Sequence, residues 1–225
     1  MESSAQRQNR RMQTSSPLLD VGAELAAFLL AATCAGCDEP GTLLCQRCRG
    51  DLTPRPRSSV TPGGLPVHAA LEFAGVAARC IRRLKGEGET YLARPLAAAL
   101  ATVLSPLATP MTWIVPVPTA RRAFRRRGYR VPELLIRRAR AEPRPVLSVV
   151  ASAVDQRGLG ARERAENVRG TMRARGRGAG SEVVIVDDVV TTGATLDEAA
   201  RALEAAGFHP VAAVALAATP HRAGF

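Results

Sequence analysis

The stretch Val183-Val184-Ile185-Val186-Asp187-Asp188-Val189-Val190-Thr191-Thr192-Gly193-Ala194-Thr195 decides the fold of this 225-residue chain. It begins as a short, continuous run of β-branched residues, Glu182–Val186, without polar alternation. Such a run suits a strand covered on both faces, as in a parallel sheet. Two carboxylates follow, then a Thr/Gly loop, then a helical pattern over Thr192–Ala206 that Gly207 closes. A strand, a loop and a helix in that order place the loop at the carboxyl end of the sheet, where open α/β folds bind ligands. The N–H groups in the first turn of the helix point outward and favour an anion. Gly193 lets the backbone approach that anion, and the hydroxyls of Thr191, Thr192 and Thr195 add donors. Asp187 and Asp188 suit the two hydroxyls of a vicinal diol, with a divalent cation nearby. One compact segment thus has the chemistry to hold a ribose 5-phosphate. Taken singly, Asp188 or Thr192 reads equally well as a cap of the helix. No GxxxxGK[ST] loop is present, and Gly176, Gly178 and Gly180 precede a strand rather than open a helix.

Outward from that core the pattern alternates. Strands are expected near Val67–Phe73, Trp113–Val117, Val146–Ala151 and Pro210–Ala217. Helices are expected near Gly75–Leu84, Leu92–Leu104 and Pro132–Arg140. Strands alternating with helices imply an α/β fold, a mainly parallel twisted sheet flanked by helices. Residues 155–180 are Arg/Gly-rich and carry no period. Residues 1–16 are polar and read as a disordered tail, and 17–52 as a helix followed by a cysteine module. Residues 53–66 hold four prolines and two glycines and read as a linker. The main domain is then 67–225.

The formal net charge is +11, with Lys85 the only lysine. Anionic partners are expected, among them phosphorylated small molecules, nucleic acids and acidic proteins. The arginine excess also fits a high-GC coding bias. Aromatic residues make up only 4%, which argues against a surface that stacks many unpaired bases. Arg121, Arg122, Arg125, Arg126, Arg127 and Arg130 crowd around Phe124 and Tyr129; they suit a phosphate backbone, a pocket lining or a solvated helix start. The apolar run Leu25–Ala32 is too short to span a bilayer, and Asp20 and Glu24 break the core of a signal peptide. A cytoplasmic protein without a membrane span is expected.

Four of the five cysteines form two CxxC pairs, Cys34/Cys37 and Cys45/Cys48. In a reducing compartment this spacing points to a structural four-cysteine zinc site, with an iron–sulfur cluster, disulfides or a redox dithiol as alternatives. A module this small has almost no core and needs such a staple. Cys80 stands alone and reads as a buried hydrophobe.

The segment from Val183 to Thr195 resembles the signature of type I phosphoribosyltransferases that binds 5-phosphoribosyl-1-pyrophosphate (PRPP). Ile114-Val115-Pro116-Val117-Pro118, Arg127-Gly128-Tyr129, Glu133-Leu134-Leu135 and Gln156-Arg157-Gly158-Leu159 with Arg164, Asn167 and Val168 resemble the competence protein ComF family. The four cysteines match that family as well. The resemblance implies PRPP and Mg²⁺ as ligands, with PRPP held by Asp187, Asp188, Val189, Thr191, Thr192, Gly193, Ala194 and Thr195. It makes the turn at Thr119 and Ala120 a pyrophosphate loop and Lys85-Gly86 a recurrent element before it. It makes residues 155–167 a closing loop that contributes Arg157 or Arg164, so that Asp187, Asp188 and Arg164 are the expected catalytic residues. Tyr129-Arg130 departs from the family pattern, in which Asn commonly follows the aromatic. Two functions are compatible with these residues. One is transfer of a phosphoribosyl group with release of pyrophosphate. The other is a non-catalytic accessory role in DNA uptake or recombination, with single-stranded DNA or the proteins of those processes as partners and the pocket kept as a sensor or scaffold.

Overall fold

The computed structural model describes residues 32–150 and 169–220. The expected tail, the helix before Cys34, the closing loop and both Arg157 and Arg164 lie outside them. Two units divide the chain, residues 1–49 and 50–225.

In the second unit a five-stranded sheet has the order β1-β2-β7-β6-β3. Its strands are β1 (Arg57–Val60), β2 (Pro66–Glu72), β3 (Trp113–Pro116), β6 (Glu182–Val190) and β7 (His209–Ala218). The pairs β2/β7, β7/β6 and β6/β3 are parallel, and only β1 runs antiparallel to its neighbour. The mainly parallel sheet read from the sequence is therefore present. Val183, Val184, Ile185 and Val186 are fully buried, as expected of a strand covered on both faces.

Two departures concern segments without hydrophobic period. Residues 57–60 fall in the stretch read as a linker, yet they form edge strand β1. All four are exposed, so no apolar pattern marks them. Backbone pairing with β2 holds them, helped by Arg57–Glu72 at 2.8 Å and Ser58 Oγ to His68 Nδ1 at 2.9 Å. Likewise Met172–Ala174, in the aperiodic Arg/Gly-rich segment, forms β5 and pairs antiparallel with β4 (Leu147–Val149).

After the short helix α1 (Gln46–Asp51), the longer helices are α2 (Gly75–Gly86), α3 (Ala93–Leu104), α4 (Arg121–Arg127), α5 (Val131–Arg138) and α6 (Ala194–Glu204). Each of α2, α3, α5 and α6 buries one stripe. In α2 it is Ala77, Ala78, Cys80, Ile81 and Leu84, the spacing of one helical face. Leu196, Ala199 and Leu203 of α6 join Val67, Val115, Val183, Ile185 and Ala213 in one core on one side of the sheet. Helices α2, α3 and α5 cover the other side. No helix among the described residues is long and apolar enough to cross a membrane.

Candidate functional site

Strand β6 is longer than its apolar run. It continues through Asp187 and Asp188 to Val190, because β7 supplies a ladder partner as far as Ala218. The aspartates therefore sit inside the strand rather than after it, and neighbouring strand residues point to opposite faces. Asp187 shares a face with Ile185 and α6. Asp188 shares a face with Val186 and the layer of α2, α3 and α5.

Asp188 is 8% exposed. Its Oδ1 accepts from Lys85 Nζ at 2.9 Å, which ties the C-terminal turn of α2 to β6. That turn is itself anchored. Tyr129 Oη donates to the Leu84 carbonyl and Arg127 Nη1 donates to the Lys85 carbonyl at 3.1 Å. Gly128 ends α4 in the left-handed region, φ 81°, so that Tyr129 leaves the helix at that angle. The Arg127-Gly128-Tyr129 motif thus braces Lys85, a role that sequence reading did not assign to it.

Asp187 is partly buried, and its Oδ1 accepts from the Asp188 N–H at 2.8 Å. Burial, and next the neighbouring Asp188 charge, push its carboxyl up to about 7. A group in that state holds a proton near neutrality until a hydroxyl or cation compensates its charge.

Beyond β6, Thr191 and Thr192 are exposed and Gly193 is the N-cap residue of α6 at φ 82°, without a side-chain cap. Asp188 is therefore no cap. Thr192 Oγ1 accepts only a long bond, 3.4 Å, from the Ala194 N–H. The N–H groups of Thr191, Thr192 and Gly193 meet no acceptor among the described residues. Three such donors beside the positive end of a helix have the chemistry to receive an anion. The lacking side chain of Gly193 has a reason in the packing itself. A Cβ there would lie 3.0 Å from Thr61 Cγ2 and 3.3 Å from Pro62 Cδ. The turn between β1 and β2 thus backs onto the loop, and its Pro-Gly-Gly composition reads in sequence only as a linker.

Strand β3 runs parallel beside β6 and is prolonged by the bond of Val117 N–H to the Val186 carbonyl, 2.9 Å. The turn with Thr119 and Ala120 therefore leaves the sheet at the same end as the Thr/Gly loop. Val189 lies within β6, while Ala194 and Thr195 open α6. After the turn, α4 presents Arg121, Arg125 and Arg126 to solvent. Arg130 is otherwise engaged, 4.8 Å over the Phe124 ring and 3.3 Å from Glu133 Oε1. The sheet end thus gathers Lys85, Asp187, Asp188, the Thr/Gly loop and the Thr119 turn.

In the first unit, one ligand atom from each of Cys34, Cys37, Cys45 and Cys48 lies within 4.8 Å of the others. Cys37 and Cys45 sulfurs are 3.7 Å apart, about the separation of two thiolates on one tetrahedral metal with bonds near 2.3 Å. Cys34 Sγ accepts from Cys45 N–H at 3.3 Å and Gly36 N–H at 3.4 Å. Burial opposes ionisation of Cys34, but these N–H groups outweigh it and lower the thiol to about 6. Burial and the neighbouring thiols push Cys48 up. Four sulfurs so close, with backbone donors on Cys34 and also on Cys45, whose Sγ accepts from Cys48 N–H at 3.5 Å, fit a metal ion. Cys80 is buried in α2, outside the cluster.

A family model described as phosphoribosyl transferase domain matches residues 91–225, more than half of the chain. It spans β3 to β7, both aspartates and the Thr/Gly loop, while Lys85 and the cysteines lie before it. No curated protein matches.

Proposed function

The chain belongs to the phosphoribosyl transferase domain family, and from that membership we propose that it binds PRPP at the carboxyl end of β6 and transfers the phosphoribosyl group with release of pyrophosphate. One observation carries this reading. The carboxylates of β6 lead within three residues into a loop whose N–H groups meet no acceptor among the described residues and so suit a phosphate. Thr191, Thr192, Gly193 and Thr195 hold the 5-phosphate, and Asp187 and Asp188 face the ribose hydroxyls. Lys85 holds Asp188 in place through their ion pair, and Thr119 lies where the pyrophosphate leaves. Positive charge at that end stabilises the leaving group as its own charge develops. By the family resemblance, Arg164 supplies part of that charge. Asp187, without an ion pair among the described residues, is the carboxylate that would face a magnesium ion bound with PRPP, which would supply positive charge to the leaving pyrophosphate. Zinc in the four-cysteine cluster completes the proposal, and the order of the motifs supports the ComF branch of the family.

Calorimetry with PRPP and Mg²⁺ tests the site. Asp187→Asn with Asp188→Asn keeps the size but removes the anionic acceptors, so affinity should fall at least about tenfold. Ribose 5-phosphate should compete in the unmodified protein. Absence of PRPP binding at millimolar ligand rejects the reading, and binding that survives the double substitution moves the site elsewhere. Pyrophosphate release with a panel of bases and amines then identifies the acceptor class.

The exposed arginines of α4 favour a second reading, an accessory protein of DNA uptake or recombination in which the pocket is a sensor. Arg121, Arg125 and Arg126 make no ion pair among the described residues, and such a helix suits a phosphate backbone. Replacing these three, and sparing Arg127 because it anchors Lys85, should flatten the salt dependence of single-stranded DNA binding. A titration at low salt without binding retires this reading.

A further inference from the structure

The turn between β1 and β2, Thr61-Pro62-Gly63-Gly64-Leu65, is closed on itself. Thr61 N–H donates to the Leu65 carbonyl at 2.9 Å, Leu65 N–H donates to Thr61 Oγ1 at 3.0 Å, and Gly64 N–H donates to the Thr61 carbonyl at 2.9 Å. Thr61 is buried, 6% exposed, although it sits at a hairpin tip. What buries it includes Gly193, whose Cβ position lies 3.1 Å from Thr61 Cβ. Four residues further into α6, Asp197 Oδ2 accepts from the Gly63 N–H at 3.0 Å. The fit is close, since a Cβ on Gly63 would stand 2.6 Å from Asp197 Oδ1. Two contacts therefore clamp the turn onto α6, one at the capping glycine and one a turn later. The first of them falls at the end of the Thr191–Gly193 segment, whose N–H groups meet no acceptor among the described residues.

The charge of Asp197 makes this arrangement informative. A carboxylate in the first turn of a helix that receives an anion repels that anion. An acid at this position weakens the very site it adjoins unless it does something else. The hydrogen bond to Gly63 is what it does.

We infer that the Thr61–Leu65 turn braces the anion-receiving loop and that Asp197 is its positioning residue, holding Thr191–Gly193 in receptor geometry without touching the ligand. The identity of the ligand, a sugar 5-phosphate, rests on the function proposed above, whereas the brace rests on the contacts.

The sign of the effect separates positioning from charge. Asp197→Asn keeps an acceptor oxygen for Gly63 and removes the negative charge; ribose 5-phosphate should bind it as tightly as the unmodified protein or more tightly. Asp197→Ala removes both, and affinity should fall about tenfold, the worth of a charge-assisted hydrogen bond. Gly63→Ala leaves Asp197 intact but drives the contact apart, and should reproduce that loss. The double substitution should be no worse than either single one, because both break one contact. Calorimetry with ribose 5-phosphate on the full chain gives the affinities. Amide hydrogen exchange over Thr191–Thr195 without ligand gives the state of the loop, and should quicken in Asp197→Ala and Gly63→Ala but not in Asp197→Asn. The brace is overturned if Asp197→Ala binds as tightly as the unmodified protein, or if Asp197→Asn is as weak as Asp197→Ala. Should the unmodified protein bind no ribose 5-phosphate, the proposed function fails, and exchange alone decides on the brace. Quickening confined to the variants that lose the contact then supports it, and equal rates in all variants overturn it.

Discussion

Lys85 and Asp188 are unequal partners, the lysine side chain 40% exposed and the aspartate side chain 11%. Removing the lysine therefore strands a buried charge, whereas the lysine by itself would return to water. Lys85→Met keeps the aliphatic stem and should destabilise the second unit by about 1–2 kcal/mol, read as a lower midpoint in urea. PRPP affinity should fall with it. Lys85→Met, Asp188→Asn together should recover part of the stability, since a neutral amide no longer needs the cation. At this scale the sequence reveals residues that announce themselves by type. Asp187 and Asp188 are conspicuous at the end of an apolar run, as is Gly193 before a helix. It does not reveal what faces them. Gly63 and Asp197 lie 134 residues apart, and no local pattern links them. Tyr129 and Arg127 act through backbone carbonyls of α2, which carry no residue-specific signal.

Helix α6 joins the Thr/Gly loop at its N-terminus to the β4–β5 ribbon through a second carboxylate. Glu198 is 4% exposed. Its oxygens take Arg201 Nε at 2.7 Å and Nη2 at 2.8 Å, and accept from Met172 N–H at 2.9 Å. Burial alone would raise this carboxyl, but Arg201 and the Met172 and Gly170 N–H groups hold it below the usual glutamate range. A depressed value contributes stability above the unfolded pKa that is lost as pH falls through the folded value. Glu198→Gln should thus cost about 2 kcal/mol at neutral pH, because the Arg201 charge loses its partner. The cost should shrink as acid protonates the unmodified protein, so the two urea midpoints converge only once the pH falls through the depressed folded value, beneath the usual glutamate range. Strand β5, which this clamp secures, escapes a reading by periodicity because three residues are too few for a period. Strand β1 escapes for another reason, having no buried residue to mark a face. Strands β6 and β7 are legible because burial on both faces demands an unbroken apolar run, and α6 because Leu196, Ala199, Ala200 and Leu203 keep helical spacing.

Two units with different sources of stability share the chain. The sheet unit rests on an apolar core, whereas the cysteine unit offers few buried side chains among its described residues, Cys34, Ala35, Leu44 and Cys48. Its folding should therefore depend on metal. Purified protein should carry about one zinc per chain, read by elemental analysis. Chelation should remove it with loss of structure in the first unit, while the urea transition of the sheet persists. Cys80→Ser should leave the metal content unchanged. Metal-free protein prepared without chelator would contradict this. The charge of +11 is also a property of the whole, and its composition has a practical outcome. Because thirty of its thirty-one basic side chains are guanidinium groups, the 225 residues contain a single side-chain amine, and that amine touches Asp188. Reductive methylation with ¹³C-formaldehyde would consequently place one side-chain NMR reporter in the molecule, already seated on the carboxylate proposed to meet the ribose. Its resonance should move when PRPP or ribose 5-phosphate is added and stay still for an anion that ignores the sheet end, giving the site a spectroscopic address without a single substitution.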